Sequence, residues 1–475
     1  MENAESLIRK LFTDTFNCPI DNMQLLKASG SNRKYYRITY GNQTIIGAHN
    51  DDRKENEAFL GFTQHFLSKG FAVPEIYAED LNNNVYLISD LGDTTLYDFL
   101  SQQRNGMLEF SSDLLHYYQQ ALNGLLEIQL SGGQGLNFDL CYPRSAFDEQ
   151  SIQWDLNYFK YYFLKLAKIP FNEQLLENDF NTLTQYLLQA DSSYFLYRDF
   201  QSRNIMIRDK KVYFIDYQGG RKGALQYDVA SLLYDGKAGI PQVVRESLLN
   251  YYIEHLAQKK PQLAQNFREY YYAFVFVRIM QAMGSYGFRG FYEKKTHFLQ
   301  SIPYALNNLK WLIDNVKLPI EIPTLWKIFA SLIDAPSLKQ FSQPKLNVSI
   351  HSFAFHHQHP VDKSGNGGGF IFDCRCLPNP GRYDEYKKCN GNDQNVIDFL
   401  EEKPQIAVYF EHVKAIVDMA IKNYMERSFS NLSISFGCTG GQHRSVYFAN
   451  KLAEYLQKYD IHIQVKHLME DQWEK

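Results

Sequence analysis

The segment YFLYRDFQSRNIMIRDKKVYFIDYQGG, residues 194–220, sets Asp199 five residues before Asn204 on a polar stretch and puts Asp216 at the end of a hairpin-like pair, IMIRDKKVYFI. A polar loop followed by a hairpin return brings two carboxylates and one amide towards a single point. Phosphoryl transfer needs such a set: one carboxylate to orient and deprotonate an attacking hydroxyl, and an amide with a second carboxylate to hold Mg²⁺ against nucleotide phosphates. In that assignment Asp199 is the base, Asn204 and Asp216 are the metal ligands, and ATP and Mg²⁺ are the cofactors. Asp and Asn cap turns in many loops, so the specificity lies in the combination of the pair, the hairpin and the second Asp.

A second chemical stretch is SISFGCTGGQHRSVYFAN, residues 433–450. Leu432 to Phe436 alternate like a strand, Gly437 to His443 read as a loop, and Val446, Ala449, Leu452, Ala453 and Leu456 recur at helical spacing. Strand, glycine loop and helix N-terminus make a phosphate site, because first-turn N–H groups and the helix dipole favour an anion. The candidate contacts are Cys438, Thr439, Gly440, Gly441, Gln442, His443, Arg444 and Ser445. Cys438 and Arg444 also stand as C-x5-R, the spacing of a phosphatase loop in which a thiolate attacks phosphorus. No leaving-group acid is identifiable beside it, and a buried small residue closing a strand is the plainer role for Cys438.

These residues need elements to position them. Residues 22–90 read as short strands around one helix over roughly 52–69: NMQLLKAS, KYYRITY, QTIIGA and NVYLIS. From Thr94 to about residue 316 helices dominate, and SDLGD at 89–93 stands between the two regions, a hinge-and-cleft layout. The strand QTIIGAHNDDRKENEAF offers no Lys before Lys54 to clamp phosphates. The substitutes are Arg33, Lys34 or Arg37, with Gly30, Ser31 and Asn32 letting the backbone fold over the nucleotide, and Glu55 or Glu57 is the candidate ion-pair partner. Pro319, Pro323, Pro336 and Pro344 cluster where the helical region ends, and LNVSIHSFAF follows as a strand, which places a linker at 336–345.

Residues 1–335, through YRDFQSRN, IDYQGGRKG and YDVASLLYD, resemble the aminoglycoside phosphotransferase-like kinases, and within them the anomeric N-acetylmuramate and N-acetylglucosamine kinases of cell-wall recycling. The resemblance implies an α+β bilobal protein-kinase-like fold, an N-lobe over about 1–90, a C-lobe over 94–335, an amino-sugar acceptor, and Asp228 as a structural carboxylate under the catalytic loop. Tyr197 replaces the usual His of that loop, and DYQ replaces DFG. Residues 346–475, through FIFDCRCLPNPG and GCTGGQHRS, resemble the C-terminal domain of the RNase adapter RapZ. That implies a separate α/β domain that binds a phosphorylated amino sugar at Gly440, Gly441, His443, Arg444 and Ser445. The competing reading is a kinase lobe without catalysis that serves as a metabolite-sensing adapter of RNA or protein partners.

Composition limits the alternatives. With 475 residues and 45% hydrophobic content the chain fills more than one domain. The net charge is −4, and residues 346–475 hold 14 Lys and Arg against 16 Asp and Glu, so an RNA partner is not favoured. Six scattered cysteines suit a reducing compartment, MENAESLIRKLF reads as an amphipathic helix, and the most apolar run, AFVFV, meets Arg278. The expectation is a soluble cytoplasmic protein with no membrane partner. His351, His356, His357 and His359 with Cys374, Cys376 and Cys389 match no common zinc spacing.

Overall fold

The structure is a computed structural model that describes residues 3–26, 33–104, 110–339, 341, 346–357, 359–360, 369–426, 429 and 431–473. The chain divides into two compact units, one made mainly of the residues up to Phe341 and the other mainly of those from Ser342 on.

The first unit opens with the helix Ala4–Phe16, capped by Asn3, which buries Ile8 and Phe12 on a strand sheet. That sheet comprises β1 (Asn22–Leu25), β2 (Lys34–Tyr40), β3 (Gln43–His49), β4 (Ile76–Asp80) and β5 (Val85–Ser89), in antiparallel order β1-β2-β3-β5-β4. The strand β4 is absent from the sequence reading; its half-exposed edge leaves little apolar signal. Asp52 accepts hydrogen bonds from the backbone N–H groups of Lys54 and Glu55, which starts the helix Arg53–Ser68 and fixes Glu55 in its first turn. That helix buries Phe59, Phe62 and Phe66.

Beyond the hinge the unit is helical, around the 27-residue helix Pro261–Gly287. AFVFV lies buried on that helix, and Arg278 beside it donates to Ser231 Oγ at 2.9 Å. Among the described residues no helix is long and apolar enough to cross a membrane. Two short antiparallel pairs frame the segment that holds Asp199, Asn204 and Asp216: β6 (Tyr194–Leu196) with β9 (Arg221–Gly223), and the hairpin of β7 (Ile205–Arg208) and β8 (Lys211–Phe214). The linker expected at 336–345 is corrected in its first part. Pro336–Lys339 form a helical turn, and Leu338 and Phe341 pack into the first unit's core, because these apolar side chains gain more from burial than from exposure.

The second unit is a parallel sheet of β10 (Asn347–Ala354), β11 (Gly369–Asp373), β12 (Asn431–Cys438) and β13 (His462–His467), in the order β11-β12-β10-β13. The central strands carry Val348, Ile350, Leu432, Ile434 and Phe436 into one core, with Phe410, Val413 and Val417 of the helix Pro404–Glu426 and Phe448 and Leu452 of the helix Arg444–Leu456. The chain reverses its winding between β10 and β12. In open parallel sheets the crevice beyond the strand ends at such a point holds ligands, and here it is bordered by Phe355 and by Thr439 and Gly440.

Candidate active site

The hydrogen bonds around Asp199 bind residues of one loop and hairpin into one cluster. Asn204 Nδ2 donates to the backbone oxygen of Asp199 at 2.9 Å and to Asp216 Oδ2 at 3.1 Å, and Gln218 Nε2 donates to Asp216 Oδ1 at 2.8 Å. Arg198 and Asp216 hold φ of +81° and +68°. Two non-glycine residues in the left-handed region beside one cluster are strain that surrounding contacts must hold. The Asp216 carboxyl sits above the usual carboxylate range, because burial and then the charge of Asp199 oppose its ionisation. A cation between the two would relieve that repulsion.

Asp228 holds the loop from below. Its carboxylate accepts the backbone N–H groups of Tyr197 at 2.8 Å and Arg198 at 3.0 Å and the amide of Gln129 at 3.1 Å, and Gln129 in turn accepts from Tyr252. Burial pushes Asp228 up to about 7 against these three donors. The structural carboxylate implied by resemblance is thus a brace in the structure. Tyr197, fully buried, donates its hydroxyl to the carbonyl of Ile215 and ties the loop to the strand end before Asp216. Tyr217 stacks on Phe59 at 5.5 Å and shares a 2.5 Å hydrogen bond with Thr63, so the helix bearing Glu55 is fastened to the Asp216 loop.

Of the candidate cations, Arg33 reaches this centre. Its Nη2 donates to Glu55 Oε2 at 3.2 Å, and Asn50 Nδ2 donates to the same oxygen at 3.0 Å. Burial works against the guanidinium charge, but Tyr86, Tyr35 and Asp216 hold its acid constant above the ordinary value. The pairing with Glu55 selects between the two glutamates; Glu57 pairs instead with Arg53. Lys34, next along β2, is exposed on the opposite face. Arg37 is a correction. It donates to Asp90 at 2.7 and 3.0 Å and pairs with Asp93, bracing the segment 90–93 rather than reaching Asp216, because two carboxylates distant in sequence fold against it. Gly30, Ser31 and Asn32 lie outside the described residues.

In the second unit Cys438 is buried, and its Sγ lies 3.2 Å from both the Gly441 N–H and Ser445 Oγ. Arg444 is a second correction. Its buried Nη1 donates to the carbonyls of Cys374, Arg375 and Leu377 at 3.2, 3.1 and 2.8 Å and its Nη2 to Thr439 Oγ1 at 3.4 Å, so it seals the turn after β11 and ties it to the glycine loop. Gln442 donates to the carbonyl of Cys389 at 2.8 Å, His443 Nε2 lies 2.8 Å from that of Tyr386, and burial lowers the His443 acid constant. Ser445 is fully buried. What remains exposed is Thr439 and Gly440, beside Gly441, whose φ of +70° and approach to Met469 suit glycine alone. Cys374–Cys376 form a tight turn, and no group of three potential metal-holding His, Cys, Asp or Glu occurs among the described residues. Replacing Arg444 by Met should leave three buried carbonyls short of a donor and destabilise the second unit by about 2–5 kcal/mol. Calorimetry would read this as a fall in the transition that ATP does not move; an unmoved transition would return Arg444 to ligand binding.

Comparison with known proteins agrees with this division. Residues 23–264, just over half of the chain, match the model of the phosphotransferase enzyme family. The chain belongs to that family. Residues 346–470 match the RapZ C-terminal domain. Among curated relatives, a nucleotide-binding protein of Thermosipho africanus is 42% identical over 118 residues, 25% of this chain and 40% of that protein. One of Halorhodospira halophila is 37% identical over 122 residues, 26% and 41% of the two chains. This chain thus spans about two fifths of the length of those relatives. Among solved structures, choline kinase LicA of Streptococcus pneumoniae aligns at a TM-score of 0.41 and 13% identity over 64% of this chain and 99% of that one. Choline kinase of Cryptosporidium parvum aligns at 0.46 and 13%, over 69% and 99%. The chain has a protein-kinase-like fold followed by a separate α/β domain.

Residues unremarked in the sequence complete the site. Asp235 accepts from Ser202 Oγ at 2.8 Å, and Asp155 takes Arg198 in a two-pronged ion pair at 2.5 and 2.7 Å. Asp235 ends the YDVASLLYD segment, a usable signal; Asp155 sits on an ordinary helix and carries none.

Proposed function

We propose that this phosphotransferase moves the γ-phosphoryl group of ATP to a hydroxyl of an amino sugar, and that its C-terminal domain binds a phosphorylated sugar. The hydrogen-bonded convergence of Asp199, Asn204 and Asp216 carries the first part of this reading. The acceptor oxygen forms a bond to the γ-phosphorus as the bond from that phosphorus to the β–γ bridging oxygen breaks, and the acceptor proton passes to Asp199. Asn204 and Asp216 offer hard oxygen donors suited to Mg²⁺, and the raised acid constant of Asp216 fits a site built for a cation. When bound, Mg²⁺ supplies neutralisation of the phosphate oxygens. Arg33, oriented by Glu55, takes the role of the missing strand lysine. In the second unit the exposed backbone of Thr439 and Gly440 at the start of the helix Arg444–Leu456 supports an anion site.

The proton on Asp216 competes with the metal. Since its acid constant is raised, Mg²⁺ affinity should begin to fall on acidification at a higher pH than an ordinary carboxylate would dictate. Asp199→Asn removes the larger of the two neighbouring charges, Asp199 and Glu55, that add to burial in raising it, so the midpoint of Mg²⁺ binding should move to lower pH. Isothermal titration with Mg²⁺ at several pH values would read this, and a midpoint moving upward would contradict it. The kinase itself is tested by ATP·Mg²⁺-dependent stabilisation, about 2.7 kcal/mol at 100 times the Kd. No stabilisation would favour the adapter.

A further inference from the structure

A cavity of about 170 Å³ lies where the chain entering β6, the start of the helix Gln226–Leu233 and the first turns of the helix Pro261–Gly287 meet. Its lining includes the carboxamides of Gln226, Gln262 and Asn266 and the carboxylate of Asp191, with the buried side chains of Leu225 and Phe267. No Lys or Arg among the described residues lines it, so an anion would find no countercharge there. Gln226 is 7% exposed; its Nε2 lies 3.5 Å from the Phe267 carbonyl, and no hydrogen bond among the described residues reaches its Oε1. The exposed side chains of Gln262 and Asn266 make none among the described residues either. A carboxamide both donates and accepts, and so does a hydroxyl, so these groups suit a hydroxyl-rich ligand. A cavity of about 150 Å³ accommodates benzene, which makes the space here that of a single six-membered ring.

Two of its walls lead to the brace under the catalytic loop. The Leu225 carbonyl accepts from Gln129 Nε2 at 3.1 Å, and the same nitrogen donates to Asp228 Oδ2 at 3.1 Å. The Phe267 ring packs on Tyr252 at 5.2 Å, and the Tyr252 hydroxyl donates to Gln129 Oε1 at 2.5 Å. Gln129 is fully buried in a π-helical turn, Ile128–Gly132, a distortion frequent at functional sites. Asp191 accepts from the Ser193 N–H at 3.0 Å just ahead of β6, which runs into Tyr197. We propose that this cavity binds one uncharged, hydroxyl-bearing six-membered ring, a monosaccharide or cyclic polyol, as an effector that steadies the catalytic loop. A ring bonded to Gln226, Gln262 and Asn266 holds Leu225 and Phe267 where Gln129 needs them, and so favours the state in which Asp228 grips the N–H groups of Tyr197 and Arg198. The binding stands apart from the phosphotransferase reading; the effect on rate rests on it.

The test uses the full chain and two neutral probes, methyl α-D-glucopyranoside and myo-inositol, with cyclohexylamine as a cationic ring of like size. Calorimetry should show saturable binding of a neutral ring, lost in Asn266→Phe, whose side chain fills the cavity from an exposed helix position. Gln262→Phe, one turn earlier, replaces that variant if it fails to fold. Hydrogen–deuterium exchange of the amides at 194–199 should slow about 5-fold with the probe bound. In turnover with ATP, Mg²⁺ and N-acetylglucosamine, the probe should raise kcat about 5-fold in the wild type and leave Asn266→Phe unmoved. No saturable binding of either neutral ring, a preference for the amine, or binding that survives in both variants overturns the site. Binding without slower exchange at 194–199 overturns the effector role. Slower exchange on binding, without turnover of any amino sugar, sinks the kinase reading and sustains the effector site.

Discussion

Asp199→Ala is expected to lower turnover by about 10²- to 10⁴-fold, the span that a positioned general base contributes. The loss should fall on kcat with little change in ATP binding. Asn204 is anchored to the Asp199 backbone oxygen, not to its side chain, and Gln218 independently holds Asp216. Truncating the Asp199 side chain therefore removes the proton acceptor and leaves the metal ligands in place. Steady-state rates paired with ATP·Mg²⁺ thermal shifts check both halves. An unchanged rate would take Asp199 out of the mechanism, and a lost thermal shift would make it a scaffold for the metal ligands.

Arg33→Met is expected to lower kcat/KM for ATP by about 10²- to 10³-fold, comparable to removing one preorganised donor from a developing charge. Arg33 meets Glu55 and lies within electrostatic range of Asp216, so its charge stands where nucleotide phosphates and metal must meet. Glu55→Gln should cost less, because Asn50 still orients that position and the cation survives. Kinetics over a range of ATP concentrations distinguishes the two substitutions. Ordinary ATP kinetics in the Arg33→Met variant would leave phosphate clamping to another cation.

Why some of this site is legible in the sequence and some is not follows from range. Asp199, Asn204 and Asp216 fall within one loop and one hairpin, so local chain geometry decides their meeting. Choosing Arg33 over Lys34 and Arg37 requires the β2–β3 register, which sets Lys34 against His49, and the Asp52 cap that starts the Glu55 helix. Arg37 misleads a reading of the sequence because Asp90 and Asp93 lie 53 and 56 residues away. Arg444 misleads for the same reason. The spacing to Cys438 is local, but the carbonyls at 374–377 come to it only through the pairing of β11 with β12.

Phosphoryl transfer from ATP to a sugar hydroxyl at the Asp199 cluster is the proposed activity. Its most direct test is mass-spectrometric detection of a phosphorylated sugar after incubating the full chain with ATP, Mg²⁺ and an amino-sugar acceptor, run in parallel with Asp199→Ala. Product from the wild type and its near-absence from the variant is the predicted result. Equal product from both, or none from a wild type that binds ATP·Mg²⁺ and the sugar together, would contradict it.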